Sequence, residues 1–316
     1  MTQGKVTILG INGHLGNAAA AAFAAAGWEV TGFGRANRRP IPGVRFVAGD
    51  ARNVEEMRAA IGDSDVVVNA LNLPYDAWTE GRSEAQLAAV IEAVGGNRTL
   101  MFPGNIYNYS ATDRVITPDL KQVPQTPRGA IRVRLEKMLE AASRQHQGLK
   151  VVIVRAGDFF GPHNAGDWFD QVILREAGKG KAALTGTPGI GHAWAYLPDL
   201  GRAFEVLAFQ RAGFAAFETF HFAGYFATQE ELGAALQAGS PVPLKLSRFP
   251  HFMLTLVGLT NPIMRDIAKM VYLWRNPMEL RDARLDAILG DNFATPFDEA
   301  VASVVAQYVP SAKAAA

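Results

Sequence analysis

The 316 residues are 49% hydrophobic and 19% charged, with a formal net charge of +1. That is ordinary globular composition, enough for one large domain or two smaller ones, and the near-neutral balance argues against nucleic acid or an acidic membrane as partner. The absence of cysteine excludes disulfides, thiolate catalysis and zinc–thiolate sites, and suits a reducing compartment.

The opening MTQGKVTILG enters strand-like sequence without the charged start, apolar stretch and small-residue cleavage site of a secretion signal. The most lipid-like run, FMLTLVGL at 252–259, is well short of the ~18–20 apolar residues of a membrane span. The expectation is a soluble, cytoplasmic protein. From there short apolar runs follow at 5–10, 28–34, 44–50, 65–71, 99–104 and 149–157, with helix-like segments at 13–26, 54–61, 83–94 and 129–145. Strands of continuous Val and Ile suit a parallel sheet covered on both faces. Their alternation with helices predicts a doubly wound α/β domain over residues 1–165.

The second half, 166–316, is richer in aromatics and loops and reads as a smaller, mostly helical lobe, with some strands returning to the first sheet. Helices are expected at 168–177, 198–209, 228–238, an interrupted 250–274, 277–289 and 296–308. Pro198, Pro250, Pro277 and Pro296 stand at starts where a missing N–H costs nothing. Thr228 and Glu231 have the spacing of a capping box. The final SAKAAA reads as a frayed tail.

The strongest local signal is VTILGINGHLGNAAAAAFAAAG. Gly10, Gly13 and Gly16 follow an apolar strand at G-x-x-G-x-x-G spacing and lead into an Ala-rich helix. Such glycines permit a tight turn, backbone approach to a pyrophosphate and close helix packing, while the helix N-terminus offers free N–H groups. After the second strand come Arg35, Arg38 and Arg39, with no acidic residue near to hold a ribose 2′-hydroxyl. Arginine suits a 2′-phosphate instead. The expected cofactor is NADP, with NAD as the alternative.

With these motifs in order, the chain resembles the short-chain dehydrogenase/reductase superfamily, in its extended NAD-dependent epimerase/dehydratase branch. Gly49–Asp50, DVVVNAL, NIYNY, VRAGDFFGP, AYLPDLGRAF with Asp199, and LGDNFATPFDEAV resemble successive pieces of that pattern. The resemblance implies a Rossmann-type domain with a small C-terminal lobe. It also implies cofactor contacts from Gly10, Asn12, Gly13, His14, Leu15, Gly16, Arg35, Asp50, Ala51, Ala70 and Leu71. The catalytic positions depart from it. Pro103 falls where the family has Ser, and Arg128 and Arg132 fall where it has the Tyr and Lys of Y-x-x-x-K.

Arginine cannot exchange protons near neutrality, but its fork of donors binds carboxylate or phosphate. Two readings of PRGAIRVRLEKML therefore stand side by side. In one, Arg128 and Arg132 border the nicotinamide end as anion holders. In the other, Arg132 and Glu136 form an i,i+4 ion pair on a solvated face, beside the buried stripe of Ile131, Leu135, Met138, Leu139 and Ala142. The proton donor is sought at Tyr107, Tyr109 or His192, with Asn105 placed to orient a carbonyl. Asp158 either serves the same edge or pairs with Arg155. His146, His163, His221 and His251 show no metal-ligand spacing, and no metal is expected.

The functional expectation is an atypical NAD(P)-dependent oxidoreductase, epimerase or dehydratase acting on a small molecule. The alternatives are a non-catalytic NADP-binding sensor and a scaffold that keeps only the fold. Helices 83–94 and 129–145 are where two copies would pair into a homodimer.

Overall fold

The computed structural model describes residues 3–162 and 166–309; His163 and the SAKAAA tail lie outside the described residues. The first layer comprises β1 (Lys5–Leu9), α1 (His14–Ala25), β2 (Glu29–Gly34), β3 (Val44–Ala48), α2 (Val54–Ile61), β4 (Val66–Asn69), α3 (Arg82–Val94), β5 (Thr99–Asn105), β6 (Val115–Ile116), α4 (Pro127–Gln145) and β7 (Lys150–Ala156). Then come β8 (Asp158–Phe160), β9 (Lys181–Leu184), β10 (His192–Tyr196), α5 (Leu197–Gln210), β11 (Phe217–His221), β12 (Tyr225–Ala227), α6 (Gln229–Gly239) and β13 (Lys245–Arg248). The chain closes with α7 (Phe252–Val257), α8 (Pro262–Met270), α9 (Tyr272–Arg275), β14 (Glu279–Leu280), α10 (Ala283–Leu289) and α11 (Phe297–Tyr308).

Seven strands form one parallel sheet in the order β11-β7-β5-β4-β1-β2-β3. Chain order runs outward from β1 to β3 on one side and from β4 to β11 on the other. The carboxyl ends of β1 and β4 therefore flank a topological switch point, the crevice where ligands bind in such sheets. Burial explains the composition of these strands, since all four residues of β4 are buried. One face packs against α1 and α5 through Val6, Ile8, Phe23, Leu200 and Phe204. The other packs against α2, α3 and α4 through Leu9, Met57, Leu87, Leu135 and Leu139. Each large apolar side chain so buried contributes roughly 1.5–3 kcal/mol. The Ala-rich sequence of α1 lets α5 come close: a Cβ on Gly201 would lie 2.6 Å from the Ala18 carbonyl.

The second lobe holds two further cores. One gathers Phe160, Phe169, Trp194, Leu232, Val301 and Val304. The other joins Leu254, Met270, Trp274 and Met278 to Ile106 and Tyr109 at the end of β5. The capping box at Thr228 and Glu231 is present. The interruption expected within 250–274 is present: three short helices are separated at 258–261 and at Val271. Two expectations change. The helix expected at 168–177 is a five-residue π-type turn, Phe169–Ile173, and a separate 3-10 turn, Ala177–Lys179, then leads through Gly180 (φ +71°) into β9. The helix expected from Pro277 begins only at Ala283: Glu279–Leu280 pairs with β6, and the Asp282 carboxylate caps Arg284 and Leu285 N–H. Among the described residues no helix is long and apolar enough to cross a membrane.

Candidate active site

After β1 the chain must reverse into α1 within a few residues. Gly10 does this with φ +86°, where a Cβ would sit 2.9 Å from the Ala70 carbonyl of the neighbouring strand. Gly16 lets α1 lie directly on the loop, since a Cβ there would be 2.3 Å from the Gly10 carbonyl oxygen. Gly13 is the N-cap of α1 and supplies no side chain, and no acidic residue occupies the first turn. By contrast α2 carries a side-chain cap, Asn53. The first N–H groups of α1 thus keep their capacity to bind an anion.

Around this loop the structure spends some predicted contacts on scaffolding. The Asn12 side chain donates to the Ala36 carbonyl at 2.6 Å and accepts from Arg38 N–H at 2.9 Å, which fixes the basic loop after β2 against the glycine loop. Leu15 and Gly16 are buried, and Ala70 N–H donates to the Leu9 carbonyl at 2.9 Å. His14 Nδ1 lies 2.6 Å from Asp167 Oδ2, tying α1 to the second lobe. Arg35 is exposed at the tip of β2. Asp50, beside Ala51 at the end of β3, has its pKa lowered to about 2 by hydrogen bonds from Arg52, with Arg35 adding a smaller effect.

The other end of the crevice is set by α4. Thr126 caps it by accepting from Gly129 N–H at 3.1 Å, and Pro127 opens its first turn. At Gly129 a Cβ would fall 2.0 Å from the Tyr107 carbonyl oxygen, so the helix passes directly over the turn that follows β5. That close approach brings Arg128, Arg132 and Tyr107 into one neighbourhood. The Arg132 guanidinium stacks over Trp78 at 4.7 Å and Phe102 at 5.7 Å from the ring centroids. Its Nε has no hydrogen-bond partner among the described residues. Burial lowers its pKa to about 10, opposed by Tyr107 and Glu136. With Asn69, Leu71, Trp78, Phe102 and Leu135 it lines a cavity of about 20 Å³, room for about one water. Arg128 is directed differently: its Nη2 lies 3.0 Å from Asp266 Oδ2 on α8, and its guanidinium sits 5.6 Å from the Trp78 ring centroid.

Glu136 is not on a solvated face. It is buried and pairs with Arg155, Nη2 to Oε2 at 2.7 Å. Asn108 Nδ2 donates to its Oε1 at 2.9 Å, and Gln122 Nε2 to its Oε2 at 2.6 Å. Arg155 also donates to the Asn105 carbonyl and to His221 Nε2, at 2.5 and 3.1 Å, while His221 Nδ1 donates to the Ile116 carbonyl at 3.1 Å. Burial, then the Arg155 charge, push the His221 pKa down to about 3, so it stays neutral. Tyr109 is buried in the same network beneath Arg155, and burial raises its pKa.

His192 is likewise interior. Its Nε2 lies 2.9 Å from Asp158 Oδ2 and its Nδ1 3.2 Å from the Leu273 carbonyl oxygen. Asp158 also accepts from Trp274 Nε1 at 3.3 Å, and Arg155 is taken by Glu136. Of Tyr107, Tyr109 and His192, only Tyr107 is half-buried, and it is near enough to Arg132 to oppose the lowering of that group's pKa. Trp78, the platform for both arginines, and Asp266 carry no periodic or motif signal and were not anticipated.

Comparison with known proteins agrees with this architecture. The UDP-glucose 4-epimerase structure superposes with TM-score 0.75 at 14% identity, covering 97% of this chain and 98% of that one. The UDP-glucuronic acid 4-epimerase from Bacillus cereus, in complex with UDP-glucuronic acid and NAD, gives 0.74 at 14% identity, covering 96% and 98%. The Bordetella bronchiseptica enzyme WbmH, in complex with NAD+, gives 0.69 at 21% identity, again covering 96% and 98%. At these identities the likeness shows the fold alone. A search of curated protein sequences returns no match. The family model for the NAD dependent epimerase/dehydratase family matches residues 6–211, from the first strand through the helix that follows β10. The chain belongs to that family.

Proposed function

We propose that this protein binds NADP across the switch point and uses it in an oxidoreductase or epimerase reaction on a small, polar, nucleotide-linked molecule. The observation that carries the reading is the glycine loop, with Gly10 and Gly16 in positions that admit no side chain and α1 left without a side-chain cap. Sugar nucleotides enter as candidates because the relatives that share the fold are named for them. The preference for NADP rests on Arg35, Arg38 and Arg39 and on the lack of an acid after β2. It departs from the NAD named for two of those relatives.

Bound there, the nicotinamide supplies the hydride acceptor or donor. The chain's own groups handle the rest. Tyr107 carries the phenol that gives or takes the substrate proton, and Arg132 is the cation beside it, a pairing like that of the family's Tyr and Lys but built from another tyrosine. Arg128, held by Asp266, fixes the wall between α4 and the second lobe. The same reading places a homodimer contact on α3 and α4, and the protein in the cytoplasm.

A second reading, a non-catalytic NADP sensor, is favoured by the replacement of all three triad positions. Dissociation constants for NADP and NAD, followed by a turnover screen over sugar nucleotides, alcohols and carbonyls, separate the two. The catalytic reading expects NADP to bind more tightly, and Tyr107→Phe to lower kcat by about 100-fold with little change in cofactor affinity. Binding without turnover across the screen would leave the sensor. Tighter NAD binding would remove the assignment of Arg35.

A further inference from the structure

Helix α7 and the turn after it point most of their apolar side chains outward. Phe252 and Leu259 are each 70% exposed, Leu256 63%, Met253 48% and Val257 44%. Leu254 and Gly258 alone in this stretch are buried; a Cβ on Gly258 would lie 2.9 Å from Arg265 Cα, so α8 presses against it there. Scattered surface leucines need no explanation, but a contiguous cluster such as this marks an interaction surface.

The charges in the flanking sequence say what kind. From 233 to 278 the chain carries Lys245, Arg248, Arg265, Lys269 and Arg275 against a single acid, Asp266, which makes +4 in a chain whose total is +1. All five cations are exposed, whereas Asp266 is committed to Arg128 and Lys269 at 3.0 Å each. Arg265 caps the end of α7, its Nε donating to the Gly258 carbonyl at 2.8 Å and its Nη2 to the Leu259 carbonyl at 3.0 Å. A positive charge thus stands at the root of the apolar tip, and Lys269 follows one turn later along α8. Protein hot spots are enriched in Trp, Tyr and Arg and depleted in Leu, so their apolar anchors are aromatic rather than aliphatic. This tip has no Trp or Tyr. Aliphatic side chains and Phe on one side, with Lys and Arg beside them, are the pattern of a helix that lies in a headgroup layer.

We propose that the α7–α8 hairpin is a peripheral anchor that docks the protein on an anionic lipid surface. It inserts its tip without crossing the bilayer, consistent with a helix of only six residues. The near-neutral charge of the whole chain conceals this local excess, which is why composition pointed away from an acidic membrane. The anchor is tied to the crevice wall, because Asp266 on α8 holds Arg128 on α4, and Leu254 shares a core with Ile106 and Tyr109. The inference does not depend on which cofactor or substrate the crevice takes.

Vesicle flotation tests it, with phosphatidylglycerol–phosphatidylcholine vesicles against pure phosphatidylcholine. The full-length protein is expected to float with the anionic vesicles, and less so near ~1 M salt, where the screening length falls to about 3 Å. The triple variant Phe252→Ser, Leu256→Ser, Leu259→Ser should lose at least about tenfold in vesicle partition while keeping its thermal unfolding and dinucleotide binding, because the replaced side chains are exposed. The double variant Lys245→Glu, Arg248→Glu should lose the preference for anionic over neutral vesicles. Absence of flotation, or equal partition of the triple variant, would overturn the proposal. So would a lipid-free dimer in sedimentation velocity that the triple variant abolishes, since a second copy would then cover the tip.

Discussion

The two ends of the crevice are built from different material. At the β1–α1 end the shape is backbone: Gly10, Gly13 and Gly16 make a turn and a helix start that contribute N–H groups and no side chains. At the α4 end the shape is side chain: Arg128 is held by Asp266, Arg132 stacks on Trp78, and Glu136 and Arg155 sit in a buried network with Asn108, Gln122 and His221. A backbone site for a pyrophosphate demands only the absence of Cβ atoms, so it survives wide change in surrounding sequence. A side-chain site can keep its place in the fold and exchange its chemistry, because each of its side chains can be replaced without moving the helix that carries it. The two ends therefore answer to different demands, and each can be tested by itself.

The largest effect is expected at the side-chain end. Glu136→Ala leaves the Arg155 guanidinium buried without its carboxylate, and losing one partner of a buried pair costs about 3–5 kcal/mol. Urea unfolding should show that loss, while Glu136→Leu combined with Arg155→Met should recover much of it. A single substitution costing under about 1 kcal/mol, as an exposed pair does, would restore the solvated-face reading of α4. At the backbone end, Gly16→Val drives a Cβ against the Gly10 carbonyl oxygen, 2.3 Å away. The loop must shift, and dinucleotide dissociation constants should rise about 100-fold, or ~2.7 kcal/mol. Unchanged binding in fluorescence titration would show that the loop does not hold the cofactor.

The same contrast explains what was legible in the sequence. The sheet could be read because its strands are continuous Val and Ile, and the tight turn into α1 because glycine spacing is a local demand of a single turn. The network at Glu136 could not. Helical periodicity placed Glu136 on the flank of the buried stripe, but burial of a flank is decided by what packs over it. Here that is Arg155 on β7, together with Asn108 and Gln122 from separate loops. Arg128 and Asp266 are 138 residues apart, and nothing in either segment names the other. The start of α10 is hidden in the sequence for a different reason. Pro277 is an acceptable first helical residue, yet Asp282 is a better cap, and the backbone of Glu279–Leu280 found hydrogen bonds with β6 instead.

The smallest effect concerns pH and sharpens the account of the side-chain end. His221 is neutral in the folded protein because burial and the Arg155 charge lower its pKa to about 3, against about 6.5 for the unfolded chain. Its folded pKa lies below the unfolded value, so the folded state excludes a proton that the unfolded state accepts. The stability tied to neutral His221 is therefore complete above about pH 6.5 and is lost as pH falls from there toward about 3, by about 1.4 kcal/mol per unit. In His221→Gln the amide has both an acceptor for Arg155 Nε and a donor for the Ile116 carbonyl, but no proton to gain. Between about pH 7 and about pH 5 the wild type should lose about 2 kcal/mol more than this variant in urea unfolding. Parallel pH profiles for the two proteins would mean that His221 is already reachable by solvent protons when folded, and that the network around Glu136 is open rather than sealed.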